Sequence, residues 1–159
     1  YHPLEIAYRF LLSEGITTLS LGASKPNDFD LPIKLANATQ KLSKTEIDVI
    51  TNIETESNKR LGITKCEQCR ACMPCPSEVP IPEILRLRNM YIGNGQEEFA
   101  KERYNLIGRA GHWWETKNGN NCMSCNCCVP KCPNKLDIPS LLKETHNLLL
   151  DKPKKRLWS

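Results

Sequence analysis

Residues 122–133 read CMSCNCCVPKCP, and residues 66–76 read CEQCRACMPCP. Each stretch holds three thiols at two-residue intervals, Cys66, Cys69, Cys72 and Cys122, Cys125, Cys128, then a last one, Cys75 or Cys132, followed at once by proline. The later stretch has the C-x2-C-x2-C-x3-C-P spacing that holds cubane 4Fe-4S clusters in bacterial two-cluster carriers. Closely spaced thiolates suit such a cluster because a curling chain can cover three of its corners while backbone amides point at the sulfides. All nine cysteines of the chain lie in these two stretches. An odd count without an export signal argues against a disulfide framework, which spreads its half-cystines to join distant loops. Structural zinc sites pair two knuckles across a longer loop. Two zinc sites and disulfides remain the competing readings, with iron and sulfur the leading one.

The fourth corner of each cluster needs a ligand from elsewhere. In two-cluster proteins the Cys-Pro cysteine crosses to the other cluster, carried there by the turn that proline starts. The first run has two residues rather than three before its last cysteine, which alters only the approach of Cys75. The expected ligand sets are therefore Cys66, Cys69, Cys72 with Cys132, and Cys122, Cys125, Cys128 with Cys75. Cys127 has Ala71 as its counterpart and is read as a non-ligand that lines the cluster pocket. His112, Trp113 and Trp114 are read as packing that shields a cluster from water. His2 and His146 receive no role.

Working outward, Cys75, Pro76, Val79, Ile81, Pro82, Ile84 and Leu85 match Cys132, Pro133, Leu136, Ile138, Pro139, Leu141 and Leu142 at one constant offset. The region is thus a repeat of cysteine run, Cys-Pro turn, Ile-Pro helix start and apolar helix. Helices are expected over 83–91, 97–107 and 140–150. Upstream, Pro3, Leu4, Ala7, Tyr8, Leu11 and Leu12 mark a helix over 3–13 that Gly15 ends. Ile16, Thr17, Thr18, Leu19, Ser20 and Leu21 read as a strand closed by Gly22. Residues 29–41 resume a helical pattern with Pro32 in the first turn. Ser43 and Glu46 form a capping box ahead of Ile47, Val49, Ile50 and Ile53, for a helix that runs to about residue 60 and stops at Gly62. Lys152, Pro153, Lys154, Lys155 and Arg156 form a short basic tail, read as a solvated end.

At 159 residues and 40% hydrophobic content, the chain suffices for one ordinary domain or a small one with part of another. A formal charge of +4 with no basic stripe of interleaved aromatics excludes a nucleic-acid surface. No apolar run nears the roughly 20 residues of a membrane span, and no secretory signal is present. A cytoplasmic protein is expected, beginning inside a longer polypeptide because Tyr1 leads directly into a helix pattern.

Two CxxCxxC runs, each with its Cys-Pro, separated by some forty residues of helix, resemble the α-helical ferredoxin modules of respiratory and heterodisulfide-reductase electron-transfer subunits. The helix over 3–13 and the run Gly15 to Pro26 resemble the last helix, last strand and nucleotide-facing loop of aldo/keto reductases, some of which carry a ferredoxin extension with a CMPCP run like Cys72 to Pro76. The resemblance implies a mainly α chain: a truncated β/α-barrel end (helix, one strand, helices) over 1–60, an α-helical two-cluster ferredoxin-like domain over 61–150 and a tail over 151–159. It also implies an oxidoreductase whose Gly22, Ala23, Ser24 and Lys25 approach an NADPH phosphate in the intact enzyme. The same Gly-Ala-Ser sequence also makes a plain turn. Pro32 stands where that family often has an Asn for the cofactor. The family's catalytic Tyr, Lys, Asp and His fall outside this sequence, so the segment implies electron transfer rather than hydride transfer. A redox protein or a flavin or nicotinamide donor is the implied partner. The alternatives are a freestanding ferredoxin-like carrier or subunit and a zinc-stabilised interaction module.

Overall fold

A computed structural model of the chain describes residues 2–37 and 41–151, and for Trp113 the backbone alone. The expected basic tail from Lys152 lies outside the described residues. The chain is mainly helical: α1 (Pro3–Ser13), α2 (Asp30–Leu35), α3 (Lys44–Leu61), α4 (Ile81–Ile92), α5 (Glu97–Tyr104) and α6 (Ile138–Leu149), with short 3-10 turns between them. It divides into two compact units, Tyr1–Ile53 and Glu54–Ser159, at a boundary inside α3 rather than after residue 60.

In the first unit, proline opens α1 and Gly15, at φ 82°, ends it. The strand expected over 16–21 does not form, and no strand occurs among the described residues. β-Branched residues favour an extended chain, but a strand exists only when a neighbour accepts its ladder of hydrogen bonds, and none does so here. The helix expected over 29–41 is also shorter. A 3-10 turn spans Pro26–Phe29, α2 covers Asp30–Leu35, and residues 38–40 of the expectation lie outside the described residues. The capping box at α3 is present as read. Ser43 donates its amide and hydroxyl to Glu46, both at 2.7 Å, and the Glu46 amide returns to the Ser43 hydroxyl at 3.3 Å. Those bonds, foremost the one from the Ser43 amide, hold the Glu46 carboxyl below its usual range, and Arg9 reinforces them with an ion pair.

The second unit owns the larger core. α4 packs against α5 and α6, and α5 also touches α6. The repeat read from sequence is carried by burial: Val79, Ile81, Ile84 and Leu85 are enclosed, as are their counterparts Leu136, Ile138, Leu141 and Leu142. Its backbone repeats as well. Glu78 N–H donates to Cys75 at 2.9 Å and Lys135 N–H to Cys132 at 3.0 Å. Ile81 N–H donates to Val79 at 2.8 Å and Ile138 N–H to Leu136 at 2.9 Å. Pro82 and Pro139 occupy first turns, where a helix needs no N–H. α5 stops at Tyr104 rather than Ile107: Asn105 N–H still bonds Lys101 at 3.0 Å, but the Leu106 and Ile107 N–H groups turn to Arg103 and Tyr104, three residues back, while the Asn105 side chain bonds the Lys101 and Leu149 carbonyls at 2.7 and 2.9 Å. Gly108, at φ 76°, then turns the chain.

Candidate cluster site

Each cysteine run is a loop without regular structure that ends in a helix start, so its thiols are aimed by backbone dihedrals and by anchors at the loop's edges. Gln68 and Arg70 in the first loop adopt φ of 58° and 62°, and Ser124 and Asn126 in the second adopt 52° and 59°. For non-glycine residues each such conformation costs on the order of 1–3 kcal/mol and persists where the surroundings impose it. Amides do meet sulfur in these loops. Gln68 donates its side-chain amide to the Cys66 sulfur at 3.3 Å, and the N–H groups of Gln68 and Cys127 favour the charged forms of Cys66 and Cys125.

One cavity gathers Cys66, Cys69 and Cys72 with Cys132 from the second run. Its apolar wall includes Pro82 and Leu85 of α4, Leu136 just before α6 and Ile138 at its start. Burial pushes the Cys66 thiol up, with the charge of Cys132 adding to it, and pushes Cys72 up to about 11. Cys128 is also raised, first by burial, then by the charges of Cys122, Cys125 and Cys75. Cys75 therefore stands within electrostatic reach of the second trio, as Cys132 does of the first. Mutually repelling, half-buried thiols of this kind become thiolates only when a cation or metal compensates them.

Among the described residues, no three His, Cys, Asp or Glu side chains converge tightly enough to hold a single metal ion. The cysteines of the cavity surround a space rather than a point. A cubane is itself several atoms across, so thiolates at its corners stand farther apart than those on one ion. The donor set and its apolar lining fit such a group.

Several expectations are corrected. Cys127 is exposed rather than enclosed, with its thiol directed at the Cys125 carbonyl at 3.7 Å. His112 is exposed instead of packed. With half-buried Trp114 it borders a second, wider cavity beside Glu83 and Arg86. Gly22, Ala23, Ser24 and Lys25 are exposed, and the Ser24 and Lys25 amides donate to Asp28 at 2.9 and 3.1 Å, so a carboxylate of the chain occupies the donors expected to meet a phosphate.

Two anchors had no sequence reading. Asn89 on α4 donates to the Cys66 carbonyl at 2.7 Å and accepts from the Cys66 N–H at 3.4 Å. His146 on α6 lies 2.7 Å from the Tyr104 hydroxyl, which accepts from the Gly119 N–H at 3.0 Å. Burial favours the neutral His146 ring, whose Nδ1 can then accept the Tyr104 hydrogen. Burial keeps the phenol protonated by pushing it up to about 12. Polar residues amid the apolar positions of α4 and α6 were the available signal.

Among the described residues no helix is long and apolar enough to cross a membrane. No protein-family model, no curated protein and no solved structure matches this chain, so the functional reading stands on its own residues.

Proposed function

We propose that the second unit holds two 4Fe-4S clusters, one on Cys66, Cys69, Cys72 and Cys132, the other on Cys122, Cys125, Cys128 and Cys75, and that the chain is the electron-transferring part of an oxidoreductase. The observation that carries the reading is the cavity whose wall combines three thiols of the first run with Cys132 of the second. When bound, such clusters supply one-electron redox chemistry at potentials tuned by hydrogen bonds and solvent exposure.

The chain's own residues would prepare for that chemistry. Amides of Gln68 and Cys127 soften the negative charge on Cys66 and Cys125. Leu85, Leu136 and Ile138 exclude water from the first site. The first turns of α4 and α6, represented in the wall by Pro82 and Ile138, bring the positive ends of two helix dipoles toward it. Asn89 holds Cys66 in place through the backbone.

The likeness to aldo/keto reductases extends the proposal. In the intact enzyme this module would exchange electrons with a reductase centre that uses NADPH, in the cytoplasm, and residues 1–60 would belong to the end of its barrel. The catalytic groups for hydride transfer would come from outside this segment. Ser24 and Lys25 would offer their amides to the cofactor only once Asp28 released them.

Anaerobic purification with iron and sulfide counts and electron paramagnetic resonance of the reduced protein tests the reading. About eight irons and eight sulfides per chain, with interacting signals, are expected for two such clusters. Cys132→Ser should remove iron from the site of the first trio while the site completed by Cys75 keeps its signal. Colourless protein carrying zinc and no acid-labile sulfide would overturn the proposal and leave a zinc-stabilised module.

A further inference from the structure

We propose that the second cysteine loop, residues 122–136, is a docking face for an acidic one-electron carrier protein. The inference rests on the reading that the chain transfers electrons, and adds where and with what kind of partner it does so.

The two loops are built alike and finished differently. In the first, every charge is neutralised within the chain: Lys65 pairs with Glu67 at 3.2 Å, Arg70 with Glu83 at 2.6 Å and Glu78 with Lys117 at 2.7 Å. In the second, no acidic residue occurs from Thr116 through Leu136. Lys131 and Lys135 there are exposed and form no ion pair among the described residues. Equivalent positions make the contrast sharper. Glu78 and Lys135 hold the same place after the Cys-Pro turn, with φ of 55° and 52° and the same backbone bond, yet carry opposite charges. The charged Glu67 of the first loop corresponds to Met123, which is 71% exposed. Met123 through Cys127 are all exposed, whereas Gln68, the counterpart of Ser124, is half-buried.

A flexible apolar side chain among unpaired cations, with the nearest following acid, Asp137, engaged by the Ser140 N–H at 3.3 Å at the start of α6, is a surface that a compact acidic protein would complete. Opposite potentials steer encounter, and the apolar contact adds a short-range gain. The first loop, neutral by internal pairing, lacks that steering. A nucleic acid would also meet lysines, but the loop has no aromatic residue on which a base could stack.

The test is calorimetric titration of the anaerobically purified full chain with a flavodoxin, a small carrier of acidic surface. It is run at about 0.01 M ionic strength, where the Debye length is about 30 Å, and at about 1 M, where it is about 3 Å. Binding at low salt should weaken about tenfold or more at high salt. It should weaken similarly in Lys131→Glu/Lys135→Glu and in Met123→Asp, while Lys143→Glu, a single charge reversal on α6, leaves it unaltered. Helical circular dichroism confirms that each variant is folded. Absence of wild-type binding, or a double variant that binds like wild type, overturns the proposal. Iron and sulfide counts on the same samples separate the two readings. Iron-free protein that binds through these lysines keeps the face and loses the clusters, and iron-loaded protein that binds regardless of them does the reverse.

Discussion

Asn89 and His146 stand at equivalent positions of the repeat, and each ties down the chain as it approaches a cysteine loop. Asn89 acts directly on Cys66, with one amide group serving as donor and acceptor. His146 acts through the Tyr104 hydroxyl on Gly119, three residues before Cys122. A loop that aims thiolates gains precision from such anchors because they restrain the backbone without competing for the ligand. The His146 anchor is pH-sensitive. Burial holds the ring below its ordinary value near 6.5, so the folded chain resists a proton that the unfolded chain accepts. At acidic pH the unfolded state therefore binds more protons, and stability is present above about 6.5 and lost as pH falls from there through the lower folded value. Thermal melts of wild type should drop more between pH about 7.5 and about 5.5 than those of His146→Gln. Parallel drops would show that the ring does not titrate with folding.

At the scale of elements, the turn at Gly119–Asn121 lies directly on α6. A Cβ on Gly119 would sit 2.6 Å from the Leu142 carbonyl oxygen and 3.2 Å from the Tyr104 hydroxyl. Only a residue without a side chain allows this approach, and it sets where the second loop begins. Gly119→Ala should cost about 1–3 kcal/mol, as overpacking does, and disturb the Tyr104 bond as well. Urea unfolding measures it, and an unchanged midpoint would mean the turn can lift from α6 freely. α4 and α6 themselves were readable as a pair, since their apolar positions and first-turn prolines recur at one offset and are enclosed in the fold.

Across the molecule, the two units differ in how much they bury. Among the described residues of the first, only Leu35 and Glu46 are buried, whereas the second encloses more than a dozen side chains. Phe29, Ile33 and Ile47 of the first unit stand exposed. Few buried contacts mean low local opening energies. Limited proteolysis should therefore cleave within residues 1–53 well before the second unit is cut, with mass spectrometry of the fragments as the check. Simultaneous cleavage of both would show that the first unit is as well held as the second.

Local order in the sequence determined the cysteine repeat, the capping box at Ser43, the proline-led helices and the apolar positions that become core, because each depends on neighbours within a few residues. Tertiary structure alone decided the rest. The run 16–21 stayed irregular for want of a pairing strand, and Asn105, just past α5, is tied by its side chain to the carbonyl of Leu149, distant in sequence. The gathering of Cys132 with the first trio, and the exposure of Cys127, likewise depend on how two repeats pack. Spacing specifies which thiols can share a loop, but only the packing of α4 against α6 brings one loop's last thiol to the other's cavity.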